Sequence, residues 1–140
     1  MDCGEATQIQ LRIRKVKIQK LDAIFISHLH GDHYFGLVGL LSSMHLLGRK
    51  KPIAIYGPEL LQKIVRLQLE IAGARLAYDF IFQHIADDFE GVVYEDNVIK
   101  VSTFKLKHKI PTHGFVFCEK EKERSLLAEK FKASGLSIRQ

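Results

Sequence analysis

Ser27-His28-Leu29-His30-Gly31-Asp32-His33 is the stretch whose reading decides the fold of this chain. Three histidines and an aspartate fall between positions 28 and 33, directly after the apolar run Ala23-Ile24-Phe25-Ile26. An apolar run closed by a polar cluster reads as a buried strand ending in a loop. With the backbone still extended at His28, His28 and His30 point to one side, because side chains alternate with a period of two. Gly31 permits a sharp turn that returns Asp32 and His33 over the same spot. A helical pattern starts at Tyr34, so Asp32 sits where a helix N-terminus favours a carboxylate, and that N-terminus would also favour phosphate. Imidazoles and a carboxylate converging in one loop suit a borderline metal such as zinc. A histidine-rich surface loop is the plainer alternative, since a single histidine carries little information. Four candidate ligands at the mouth of a buried strand favour the metal, with further ligands expected from elsewhere in the chain.

On the N-terminal side, Ile9, Ile13 and Val16 alternate with polar residues in a pattern compatible with a short amphipathic helix over 8–14. Lys15, Lys17 and Lys20 read as a solvated face, with phosphate contact as the alternative. On the C-terminal side, Phe35, Leu37, Val38, Leu40, Leu41 and Met44 recur at helical spacing. His45 reads as structural, Gly48 as a helix cap, and Arg49-Lys50-Lys51 as a solubilising loop with RNA contact as the lesser option. Residues 52–56 form a short strand, and Pro58 opens a helix whose apolar set is Leu60, Leu61, Ile64, Val65, Leu67 and Ile71, ended by Gly73. Strand, helix, strand, helix in this order implies a sheet covered by helices.

Beyond Tyr78 the pattern becomes extended. Phe80, Phe82 and His84 alternate with Ile81, Gln83 and Ile85, and His84 reads as packed or exposed. Residues 92–101 form a hairpin around Glu95-Asp96-Asn97, and Phe104, Leu106 and His108 share a face of the next extended segment. His108 and His113 both precede or open the strand at Gly114-Phe115-Val116-Phe117, and spacing alone does not choose between them as ligands. The mixed charges of 119–124 lead into a helical pattern at 125–131, with Gly135 as its cap.

Bulk properties set the outer limits. The chain has 140 residues, 46% apolar and 26% charged, which suits one soluble globular domain or part of one. No apolar stretch approaches a membrane span, and the first residues lack a signal-peptide core. A net charge of +5 fits an anionic partner such as RNA without requiring one. Cys3 and Cys118 make no disulfide framework and fit a reducing cytoplasm.

His-Leu-His-Gly-Asp-His resembles the HxHxDH signature of the metallo-β-lactamase fold. Asp2-Cys3-Gly4-Glu5-Ala6-Thr7-Gln8 is similar to the DCGEGTQ segment of ribonuclease Z, the endonuclease that trims the 3′ end of precursor tRNA. Ala6 departs from it, standing where that family usually has glycine. The Tyr56-Gly57-Pro58 turn also occurs in such relatives at this distance. The resemblance implies an α/β fold, the αββα sandwich of the metallo-β-lactamases, of which residues 1–140 would be a partial domain lacking the N-terminal strands and the C-terminal half. Mainly one half of the sandwich is expected, its inner face awaiting a partner sheet. The implied ligands are His28, His30 and His108 for one metal and Asp32 and His33 for the other, with His113 at the pocket rim or in solvent. Two zinc ions would clamp the phosphodiester and activate water, and Asp32 would also accept a proton. The implied partner is precursor tRNA, in the cytoplasm. The family's bridging aspartate and last histidine have no counterpart here, so the 140 residues alone are expected to be a weak nuclease, dimeric or aggregated through an uncovered apolar face. Another hydrolase of the same fold, a phosphodiesterase or thioesterase, and a non-catalytic metal- or RNA-binding fragment are the alternatives.

Overall fold

The computed structural model describes residues 1–121 and 133–135. The helix expected over 125–131 lies outside the described residues, while Gly135 has the positive φ of 67° that a cap requires. In chain order the elements are α1 (Thr7–Ile13), a 3₁₀ turn (Ile18–Lys20), β1 (Ala23–Phe25), α2 (Gly31–Tyr34), α3 (Leu37–Leu46), β2 (Ile53–Gly57), α4 (Glu59–Ile71), β3 (Phe80–His84), β4 (Gly91–Glu95), β5 (Ile99–Lys105) and β6 (His113–Glu119).

β1, β2 and β3 form a parallel sheet in that order, as two strand–helix–strand crossovers dictate. Alternation along β2 puts Ile53 and Ile55 against the helices, where they join Ile24, Ile26, Leu40, Leu41, Met44, Leu61 and Val65 in one core. Both long helices stop where the sequence predicts. After α3, Gly48 (φ 84°) lets Arg49 N–H reach the Met44 carbonyl and Gly48 N–H the His45 carbonyl. Gly73 (φ 61°) closes α4 in the same way.

A second sheet, antiparallel β4-β5-β6, packs on the other face of the first. Phe25 of β1 stacks on Tyr56 of β2 at 4.7 Å between centroids and meets Phe115 and Phe117 of β6 at 5.5 and 5.4 Å. This corrects the expectation of one sheet with a vacant inner face. Among the described residues both sheets are present with three strands each, and no helix lies over the outer side of β4-β5-β6. The hairpin turn is held by Asp96, whose Oδ1 accepts from the Val98 and Ile99 N–H groups.

Four further expectations are corrected. In the expected solubilising loop Lys50 and Lys51 are exposed, but Arg49 is buried: its guanidinium donates to the carbonyls of Gln19, Leu21, Lys51 and Pro52 at 2.6–3.1 Å and is an internal tie. The apolar set chosen for α4 is shifted, since Leu61, Val65 and Leu69 are buried while Leu60, Leu67 and Ile71 face solvent. The short helix expected over 8–14 forms as α1, but Ile9, Ile13 and Val16, chosen as its apolar set, are exposed and Leu11 is the residue that packs on the core. Helical geometry starts at Gly31, which keeps a negative φ, and breaks before α3. Gly36, entering α3, donates its N–H to the Cys3 carbonyl, so the expected phosphate-facing helix end is one isolated turn.

Candidate metal centre

β1 runs out into Ser27 and His28, both buried, and the chain stays extended through His30 (φ −74°, ψ 141°). His28 and His30 therefore face one side, with His28 Nε2 3.1 Å from His30 Nδ1. From the far side of the cleft, the loop after β5 brings His108 Nε2 to 3.2 Å from the same His30 Nδ1. One nitrogen from each of His28, His30 and His108 lies within 4.8 Å of the others, the one such grouping of potential ligands among the described residues. Two nitrogens bound to a tetrahedral zinc at about 2.0–2.1 Å would stand roughly 3.3 Å apart. Three imidazole edges turned inward, with at most one proton to share at each contact, make a set of lone pairs that a cation satisfies.

Neighbouring groups hold these rings in place. Ser27 Oγ lies 2.9 Å from His28 Nδ1 and 3.2 Å from His33 Nδ1. Asp2 Oδ2 lies 2.9 Å from His33 Nδ1, and its Oδ1 accepts from the Ser27 N–H at 2.8 Å. Asp2 thus turns His33 so that Nε2 faces Asp32, 3.4 Å from its Oδ2. Burial first, then the neighbouring His33, His30 and His108, hold His28 below its ordinary value against the opposite pull of Asp2, which favours the neutral ring that metal binding needs. Burial likewise pushes the Cys3 thiol, beneath the loop, up to about 11, which makes it inert packing.

All five expected site residues line one cleft of about 670 Å³. The histidine trio is contiguous, and His33 packs at its edge, 4.0 Å from His28 by ring centroids with the rings tilted by 48°. Asp32 projects into the open part of the cleft with 75% of its side chain exposed. His113 lines the same cleft but does not stand in solvent: it is 2% exposed, and neither ring nitrogen makes a well-formed hydrogen bond among the described residues, although the Ala86 backbone lies close enough to favour its protonated form. Its backbone N–H donates to the Ser27 carbonyl at 3.1 Å, so it closes the base of the site between the sheets. Asp2 and Ser27 went unassigned in the sequence. The signal for Asp2 was its place at the head of the DCGEATQ segment. His84 is exposed on β3, and His45 accepts from the Ala77 N–H through Nδ1 at 2.9 Å, a structural role.

A family model described as Anti-Pycsar protein Apyc1 matches residues 1–126. The chain belongs to this family. It is 44% identical over 135 residues to the ribonuclease Z of Listeria welshimeri, covering 96% of this chain and 43% of that protein. It is 43% identical over 129 residues to the ribonuclease Z of Parabacteroides distasonis, covering 92% and 42%. Among solved structures, human tRNase Z, short form, superposes with a TM-score of 0.74 at 34% identity, covering 84% of this chain and 52% of that one. A Bacillus subtilis protein of metallo-β-lactamase fold superposes at 0.56 with 22% identity, which speaks for the fold alone. This Apyc1-family chain therefore has the metallo-β-lactamase fold in part and resembles ribonuclease Z, and it spans less than half the length of the curated relatives it matches.

Proposed function

We propose that this chain carries the metal-binding side of an endoribonuclease that removes the 3′ trailer from precursor tRNA. The convergence of His28, His30 and His108 on one point carries the reading, supported by relatives named ribonuclease Z. In this reading the trio holds one zinc ion, and Asp32 with His33 contributes to a second. When bound, such ions supply Lewis-acid stabilisation of phosphodiester charge and a water activated near neutral pH. The chain's own residues do the rest. Ser27 fixes the tautomer of His28 by occupying Nδ1 and leaving Nε2 toward the cleft. Asp2 does the same for His33. Asp32, open to the cleft beside His33, accepts the proton of the attacking water.

The test is Asp32→Ala in the chain extended to the length of its relatives, assayed by cleavage of precursor tRNA at its 3′ boundary. Turnover should fall about 10²–10⁴-fold with KM changed far less, since the work of Asp32 is done in the transition state. A near-wild-type rate with weakened binding contradicts the assignment. Equal turnover of a simple phosphodiester, with no preference for precursor tRNA, assigns the chain to another hydrolase of this fold.

A further inference from the structure

Between Ala6 and Asp22 the chain has no acidic residue and five cations, Arg12, Arg14, Lys15, Lys17 and Lys20. All five are exposed, and none has an ion-pair partner among the described residues, whereas Lys51, Lys63 and Lys120 pair with Asp22, Glu59 and Glu95. Fold stability does not account for this composition. α1 buries no residue fully and sets only Leu11 against the core, and Lys15 sits at φ 56° in the helix-ending position where glycine would be cheaper by about 1 kcal/mol.

The placement of this segment is fixed at both ends. Thr7, which opens α1, bonds to the Gly4 carbonyl through its hydroxyl at 2.7 Å, and Gly4 packs so tightly on the Asp32 carbonyl that a Cβ would clash. α1 then passes along α3, with Gln8 against Gly39. Beyond it, the Gln19 side chain donates to the Met44 carbonyl at the far end of α3. The segment that carries the cations therefore runs beside a ten-residue helix, from the end that abuts the candidate metal loop to the other. That helix is about 15 Å long, over which a nucleic-acid duplex presents roughly nine charges.

We infer that Arg12, Arg14, Lys15, Lys17 and Lys20 form a phosphate-tracking surface that grips the backbone of the RNA whose scissile phosphodiester enters the histidine cleft. The inference rests on the proposed function for its choice of RNA. An anionic membrane is the poorer fit. The exposed apolar residues between the cations, Ile13 and Val16, include no aromatic anchor, and a seven-residue helix offers little depth for insertion. The contact is sequence-independent, because backbone contacts set position and register without reading bases.

The experiment measures binding of a fluorescein-labelled tRNA acceptor-stem hairpin to the 140-residue chain between about 50 and 200 mM salt. EDTA is present throughout, so loss of the nuclease reading leaves the result readable. Replacing four cations together (R12Q, R14Q, K15Q, K17Q) should flatten the slope of log K against log salt by about 3, at 0.7–0.9 per phosphate contact. A charge-matched set elsewhere (K63Q, R66Q, R75Q, K100Q) should leave the slope unchanged. If the fourfold variant fails to fold by circular dichroism, R14Q and K17Q are read singly, each expected to remove about 0.7–0.9. An unchanged slope in the first set, or an equal loss in both, overturns the inference. So does loss of binding to phosphatidylserine vesicles while the RNA slope stays intact.

Discussion

The two sheets of this chain carry similar side chains on their outer faces and meet opposite fates. Outside β1-β2-β3, the helices α3 and α4 bury Ile53, Ile55, Leu61 and Val65 completely. Outside β4-β5-β6, Val92, Phe104 and Val116 stay 44%, 41% and 46% exposed, with no helix over them among the described residues. Apolar character is the same in both places, and only the covering element differs. Phe104 partly shields itself by lying across Gly114, where a Cβ would collide with its ring. Stability should therefore be concentrated in the parallel half, and so should sensitivity to mutation.

The sharpest way to break this contrast is Arg49→Ala. It would strip donors from four carbonyls in the parallel half, where the guanidinium also lies 5.4 Å over the Tyr78 ring. Unsatisfied buried acceptors cost about 1–3 kcal/mol each before relaxation, so a loss of about 3–5 kcal/mol is expected. Val116→Lys on the bare face should stay within about 0.5 kcal/mol. Urea midpoints of both variants check the pair, and a comparable loss at Val116 would mean that face is covered.

The second contrast lies within the site, between the groups that would hold the ion and those that aim them. His30→Ala should abolish stoichiometric zinc by elemental analysis, because His30 Nδ1 is the atom both neighbouring imidazoles approach. Asp2→Asn removes only the carboxylate that turns His33, and should weaken zinc by about 10–100-fold in a competition titration. Unaltered zinc content in the His30 variant would remove the metal reading.

Some of this was legible in the sequence and some was not, for physical reasons. The strand at Ala23–Phe25 and the convergence of His28 with His30 followed from period-two geometry, which needs no tertiary information. The approach of His108 did not, since a contact across 78 positions is written in no local pattern and came only through resemblance. Arg49 and His113 were misread because charge and polarity suggest exposure. A guanidinium with four carbonyl partners, or a neutral imidazole under a strand, overturns that prior. α4 was placed within a residue, yet its buried stripe was misjudged, because Leu60 and Leu67 satisfy helical spacing without facing the sheet.

The buried imidazole gives a pH-dependent version of the comparison. His113 is held below its ordinary 6.5, chiefly by burial, with Asp87, the Ala86 backbone and Glu90 pulling the other way. The unfolded chain then binds the proton more tightly. The contribution of His113 is whole above about pH 6.5 and is lost as pH falls through the lower folded-state value. His28 shifts in the same direction, so the informative quantity is the difference between wild type and His113→Phe in metal-free samples. The variant should lose stability less steeply below pH 6.5, measured as urea midpoint against pH. Parallel curves would mean that His113 finds a partner on protonation.

The smallest expected effect sits at Ala6, where the chain departs from the glycine of the family it resembles. Ala6 has φ 58° and ψ 13°, a left-handed conformation that crowds a Cβ against the following carbonyl. The conformation is not optional. It starts α1, and the Ala6 carbonyl accepts from the N–H groups of Ile9 and Gln10 at 2.9 and 3.0 Å. Ala6 is exposed, so a missing methyl leaves no cavity. Two terms oppose one another in Ala6→Gly. Relief of strain is worth about 1–2 kcal/mol, and the greater freedom of glycine in the unfolded chain takes back about 0.4–1 kcal/mol. A net gain of about 0.5–1 kcal/mol is expected, read as a raised urea midpoint with an unchanged slope. Because α1 starts against the candidate metal loop, zinc affinity should move little or improve slightly. A loss of stability in the glycine variant would show that the left-handed turn is held by something other than the Ala6 backbone.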